Sequence, residues 1–176
     1  PLAERLPAGS LAYVGWAGRS LPFDGSNLGQ LLQEPALGKM LATLKKSIDE
    51  IPDKTPAHLW EIAGVAWQHP MAFSLMDISP GQGDIPMVSA VLLMDLGKDK
   101  AVFAKNLDAV ITNSGVRFTP ATVGQTNCRV LKTPLGPLTI GYKGNMFFLT
   151  VGEQTAQKLL AVKAASSLKA DKAFIA

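Results

Sequence analysis

The chain has little of the material from which reactive sites are usually built. Its 176 residues include one cysteine, Cys128, and two histidines, His58 and His69. A single thiol excludes an intrachain disulfide, and three scattered Cys and His fall short of a zinc ligand set. No apolar run approaches the roughly 18–20 residues of a membrane span. The longest, residues 87–94, has the length of a buried strand. No signal-peptide pattern, low-complexity tract or internal repeat stands out. The ends, Pro1 and the apolar phrase 173–176, suggest a segment of a longer protein.

The phosphate-binding fingerprints are also missing. Gly81-Gln82-Gly83 has no third glycine and no helix after it, and Gly141-Tyr142-Lys143-Gly144 runs into a strand pattern. A dinucleotide loop needs a helix N-terminus aimed at the pyrophosphate. There is no Gly-x-Ser-x-Gly elbow. No cofactor or metal is therefore expected, and no residue is assigned as catalytic.

What the chain does have is a core. Hydrophobic residues make up 47% and charged residues 18%, too apolar a balance for a disordered segment. Charge is unevenly spread. Residues 1–97 hold six basic and ten acidic residues, and residues 98–176 hold eleven and four. The basic half permits a polyanion partner. Its lysines are scattered along helical patterns, however, which reads as a solvated face, and no nucleic acid is expected.

Periodicity supplies the elements. Residues 11–16 read as a strand and 18–25 as a loop. Asn27, with Gln30 three residues on, can cap a short helix. Pro35 opens the clearest helix, whose Leu37, Met40, Leu41, Leu44, Ile48 and Ile51 form one face. Thr55-Pro56 opens another, which carries Trp60 and Trp67 and stops before Pro70. Residues 71–78 and 87–96 read as a hairpin, the second strand apolar on both faces and so central in a sheet. Asp99 can cap a helix running to Asn113. Strands follow around residues 116–119, 127–133, 138–142 and 146–151, with Pro120 assigned to a turn. A last helix is expected over 153–165. The grouping predicts a single α+β domain over 1–176, a mainly antiparallel sheet with helices packed on one face. Residues 166–176 read as the start of a following segment.

Among the polar groups, His69 with Asp77, Asp84 or Asp95 is the best candidate pairing, since Asp77 and Asp95 interrupt apolar strands. Structural roles for His58 and His69, a buried inert Cys128 and solvated strand-end carboxylates are the plainer readings. Asp24 is a further carboxylate considered. Trp16, Trp60, Trp67, Phe73 and Tyr13 offer the one hint of a binding surface, against the default of core packing.

Several phrases resemble a family of exported bacterial proteins of unknown function. They are Leu6-Pro7-Ala8-Gly9-Ser10-Leu11-Ala12-Tyr13-Val14, Leu28-Gly29-Gln30-Leu31-Leu32-Gln33-Glu34-Pro35, Val91-Leu92-Leu93-Met94-Asp95-Leu96-Gly97 and Tyr142-Lys143-Gly144-Asn145-Met146-Phe147-Phe148-Leu149. The closing phrase 167–174 looks like one that precedes another copy or half of the domain. The resemblance implies an extracytoplasmic location, exported or held by an anchor outside this chain, and a larger parent protein. It supplies no catalytic residues. The expected function is a non-catalytic domain that binds a protein or small ligand or acts as a scaffold. The alternatives are a hydrolase-like enzyme using His69 with Asp77 or Asp95, and a polyanion-binding module.

Overall fold

Period-two alternation and stripes of period 3.6 divide the chain into strands and helices. The computed structural model, which describes residues 2–81 and 86–171, follows that division. Seven strands form one sheet: β1 (Ala12–Trp16), β2 (Met71–Ser79), β3 (Met87–Asp95), β4 (Thr119–Val123), β5 (Thr126–Leu131), β6 (Leu138–Lys143) and β7 (Met146–Val151). Their order is β1-β2-β3-β7-β6-β5-β4, and every neighbouring pair is antiparallel. The fold is α+β, and β3 is central, as its two apolar faces require. Gly124 and Gly144, both at positive φ, turn the short hairpins of the β4–β7 meander.

Pro120 departs from its expected place. It lies inside β4, which starts at Thr119, rather than in a turn. An edge strand accepts proline because the missing N–H would have faced away from the sheet.

Among the described residues six α-helical pieces accompany the sheet: α1 (Leu21–Asp24), α2 (Asn27–Leu32), α3 (Pro35–Asp49), α4 (Thr55–Gln68), α5 (Lys100–Asn113) and α6 (Thr155–Leu160). The segment expected to be a loop thus contains the turn α1. Ser26, not Asn27, caps α2, its hydroxyl accepting the Gly29 N–H at 3.1 Å. The last helix is shorter than its apolar pattern. Gln154 sits in left-handed backbone just before it, and a 3-10 turn, Ala164–Ser166, follows.

The two longest core helices, α4 and α5, share one face of the sheet. Ile62, Val65 and Ala66 of α4 and Phe103, Leu107 and Ile111 of α5 pack on Met71, Met94, Ile140 and Phe147. The opposite face is covered by short pieces from both ends of the chain. Leu6, Leu159 and Leu168 close over Ala72, Val91, Leu93, Cys128 and Phe148. Gly141 makes room there, because a Cβ would stand 2.6 Å from the Phe148 ring. The residues set aside as the start of a following segment belong in part to this layer. Leu168 is buried, its N–H bonds the Leu6 carbonyl at 2.8 Å, and the Asp171 carboxylate accepts the Gly9 N–H. Residues 172–176 lie outside the described residues.

Both histidines serve the α4–α5 contact. At one end, the Asn106 amide donates to the Val102 carbonyl, so its oxygen accepts from His58 Nδ1 at 2.8 Å. At the other, His69 Nε2 bonds the Asp99 carboxylate at 2.9 Å. His58 is therefore an interhelix clamp and not a solvent group, and Asp99 holds His69 where a helix cap was expected.

Removing His58 leaves a buried amide oxygen without its donor. His58→Ala is expected to destabilise the fold by about 1–3 kcal/mol. A urea denaturation series with a His58/Asn106 double-mutant cycle checks this, and additive single-mutant costs would show that the bond contributes nothing.

Candidate functional site

Helix α4 is apolar on two faces. Ile62, Val65 and Ala66 turn to the sheet. Trp60, Ala63, Gly64 and Trp67, spaced 3, 1 and 3 residues apart, turn away from it and form one wall of a groove. A helix that is apolar all round is normally buried all round. Here the second face is met by α1, α2 and α3, which leave an open cleft of about 440 Å³ lined also by Arg19, Phe23, Asp24, Gly29 and Leu41.

An aromatic cluster fixes the inner end. Trp16, at the end of β1, stacks on Trp67 with ring centroids 4.7 Å apart, and Phe23 of α1 meets both rings edge-on. The Trp16 indole N–H donates to the Trp67 carbonyl at 3.0 Å. Gly18 brings the chain across this point. It takes positive φ, and a Cβ there would stand 2.7 Å from the Gln68 carbonyl oxygen. The polar groups at the groove are an ion pair, Arg19 Nε to Asp24 Oδ1 at 2.8 Å. Lys45 of α3 spans to Glu61 of α4 at 2.7 Å.

Gly64 stands mid-helix in the groove wall, and a Cβ added there would meet no atom within 4 Å. A glycine in a helix interior costs about 1 kcal/mol against alanine. Internal packing does not require it at this position.

The apolar stripe of α3 does not enter the core, and the helix has no buried residue. Met40, Leu41 and Leu44 are exposed, and Leu59 on α4 is 50% exposed. The sequence shows this stripe clearly but carries no signal that distinguishes a core-facing face from one bordering an open groove.

The aromatic residues singled out in the sequence separate into two groups. Trp60 and Trp67 line the groove and Trp16 braces it. Tyr13 and Phe73 stand on opposite faces of the β1–β2 pair, Tyr13 toward the terminal layer. Phe23, Arg19 and Gly64 were not anticipated. Each looks ordinary in sequence and acquires a role through the crossing of α1 over the end of α4.

The acid–base candidates are split: Asp95 lies beside His69, its N–H donating to the Pro70 carbonyl at 2.9 Å, whereas Asp77 stands toward the far end of β2. His69 pairs with Asp99. Asp77 sits opposite Ser89, six residues along β3 from Asp95, roughly 20 Å at the usual strand rise. The Asp95 carboxylate accepts the Gly97 N–H. Asp84 lies outside the described residues. Cys128 is buried, its Sγ toward the Thr126 carbonyl, and burial pushes the thiol above its usual range. Among the described residues no group of three or more His, Cys, Asp and Glu is arranged to hold a metal ion. Among the described residues no helix is long and apolar enough to cross a membrane. Several cations of the basic half are held locally: Arg129 by Asp108, Lys100 by the Gly144 carbonyl, and Lys143 by the Leu160 carbonyl.

One perturbed group lies under α5. The Tyr142 hydroxyl is buried and has no hydrogen-bond partner among the described residues. Burial first and the nearby Asp108 second push its pKa up to about 12, against a smaller opposing pull from Arg129.

Comparison with protein-family models, curated proteins and solved structures found no match to this chain.

The Tyr142 shift gives a pH dependence of known sign. The folded state holds the phenol neutral above the pH at which an unfolded tyrosine ionises. Stability from this group is therefore complete below about pH 10 and is lost as pH rises toward about 12. Thermal melts at pH 9 and pH 11 are expected to show a smaller alkaline loss in Tyr142→Phe than in the parent, and equal losses would refute the assignment.

Proposed function

We propose that this chain is a non-catalytic binding domain and that its ligand site is the groove between α3 and α4. The observation that carries the reading is the second apolar face of α4, Trp60-Ala63-Gly64-Trp67, left open to a cleft of small-molecule size. The ligand is an apolar molecule carrying a ring or an acyl chain. Trp60, Trp67 and Leu41 supply flat and branched apolar contact, and Gly64 lets the ligand approach the α4 backbone closely. Arg19, whose Nε is engaged by Asp24, has guanidinium donors left to orient a polar end at the rim. The resemblance to exported proteins supports placing this binding outside the cytoplasm.

The chain's three tryptophans all stand in or beside the groove, so their emission reports on it directly. Titration with the fluorescent probe ANS is expected to give saturable enhancement and to change the tryptophan emission. Gly64→Leu fills the groove from a position with open space above it. It should weaken ANS binding by about tenfold or more while leaving the melting temperature unchanged or raised. ANS binding that Gly64→Leu leaves unaltered would remove the groove as the site.

A further inference from the structure

The sheet face opposite α4 and α5 is covered by short pieces, and short pieces close over a surface less completely than two long helices do. A pocket of about 270 Å³ remains where three of them converge. They are the 3-10 turn Leu2–Arg5, the turn between β6 and β7, and the end of α6 with the residues that follow it. Met146, Leu160 and Val162, each part-buried, give the pocket apolar walls, with Leu93 and Phe148 of the core behind them.

Its rim is charged. Glu4, Arg5 and Lys143 all border the pocket and all are exposed. Glu4 is engaged by Lys169, so its charge is matched on the rim itself. Lys143 Nζ donates to the Leu160 carbonyl at 3.2 Å, which holds the ammonium over one of the apolar walls. That bond uses one of the three donors of an ammonium, and the guanidinium of Arg5 carries five. With Glu4 matched by Lys169, the balance of charge at the mouth is cationic.

We propose that this pocket binds a short-chain carboxylate, its tail among Met146, Leu160 and Val162 and its head at Arg5 and Lys143. Two cations at the mouth select an anion, because their hydrogen bonds to a carboxylate are charge-assisted. Apolar walls select a hydrocarbon tail over a polar one. The volume selects a short chain, since it falls below the roughly 300–1,000 Å³ of sites for drug-sized ligands. The site shares no residue with the groove between α3 and α4 and lies on the other face of the sheet, so the inference is independent of that reading.

Octanoate is the probe, titrated into isotope-labelled protein and followed by backbone amide chemical shifts. Saturable shifts are expected around Arg5, Lys143 and Leu160. Octanol, the same chain without the charge, should bind about tenfold more weakly. Arg5→Gln and Lys143→Gln should each weaken octanoate binding by about threefold to tenfold, and the charge-retaining Arg5→Lys and Lys143→Arg should keep it near the parent's. Arg5→Gln changes an exposed side chain and serves alone if Lys143→Gln disturbs the turn. Gly64→Leu should leave these shifts unaltered, so failure of the groove and failure of this pocket are read separately. Octanol binding as tightly as octanoate, Gln variants that bind octanoate like the parent, or shifts confined to the surroundings of Trp60 and Trp67 would overturn the proposal.

Discussion

The pairing of β3 with β7 is the seam on which the fold depends. β3 joins the hairpin partner β2 on one side to the last strand of the meander on the other, with Leu93 opposite Phe148 and Met94 opposite Phe147. These rows feed both cores: Leu93 and Phe148 face the terminal layer, and Met94 and Phe147 face α4 and α5. Alternate burial on two sides explains why β3 lacks polar alternation. It also makes the seam a long-range contact, so its loop-closure entropy must be met before either core can form.

The seam sets the length of α5. From β3 to β4 the chain crosses β7, β6 and β5, four spacings of about 4.8 Å, or roughly 19 Å. The 14 residues of α5 span about 21 Å. The helix is as long as the sheet it crosses, and its ends are fixed by His69–Asp99 at the start and the positive-φ Gly115 at the finish. The β1–β2 connection has no such requirement. These strands are antiparallel neighbours and could be joined by a two-residue turn, yet residues 17–70 lie between them. Part of that excursion, the inner face of α4, serves the core. The remainder, α1 to α3 and the outer face of α4, builds the groove.

Most of the sheet was legible in the sequence because strand alternation and glycine turns are local signals. The meander, the central position of β3 and the clusters of helices and strands all follow from residues close together in the chain. Errors arose where tertiary context overrides a local rule. Pro120 reads as a turn unless the strand is known to be an edge. Asp99 reads as a cap unless His69 is known to stand beside it. Residues 153–165 carry enough apolar pattern for a longer helix, and Leu159 and Leu168 prove to lie on the same small core through separate turns. The candidate site was half visible. Three tryptophans within the first seventy residues suggested a surface. Which of them share a wall depends on how α4 is rolled between sheet and groove, and an all-round apolar helix does not announce that orientation.

That roll can be argued on physical grounds. α4 could have turned Trp60 and Trp67 to the sheet and left Ile62 and Val65 outside. His58 and His69 are placed so that this does not happen. Each sits on the Ile62–Val65 side of the helix, at opposite ends, and each finds its polar partner on α5 (Asn106) or on the residue just before it (Asp99). Rotating the helix would break both bonds and strand the buried Asn106 oxygen, a cost of the same order as several kcal/mol of misplaced apolar area. Directional hydrogen bonds thus decide an orientation that hydrophobicity alone leaves nearly degenerate. The tryptophans face the cleft because the histidines hold the helix the other way round.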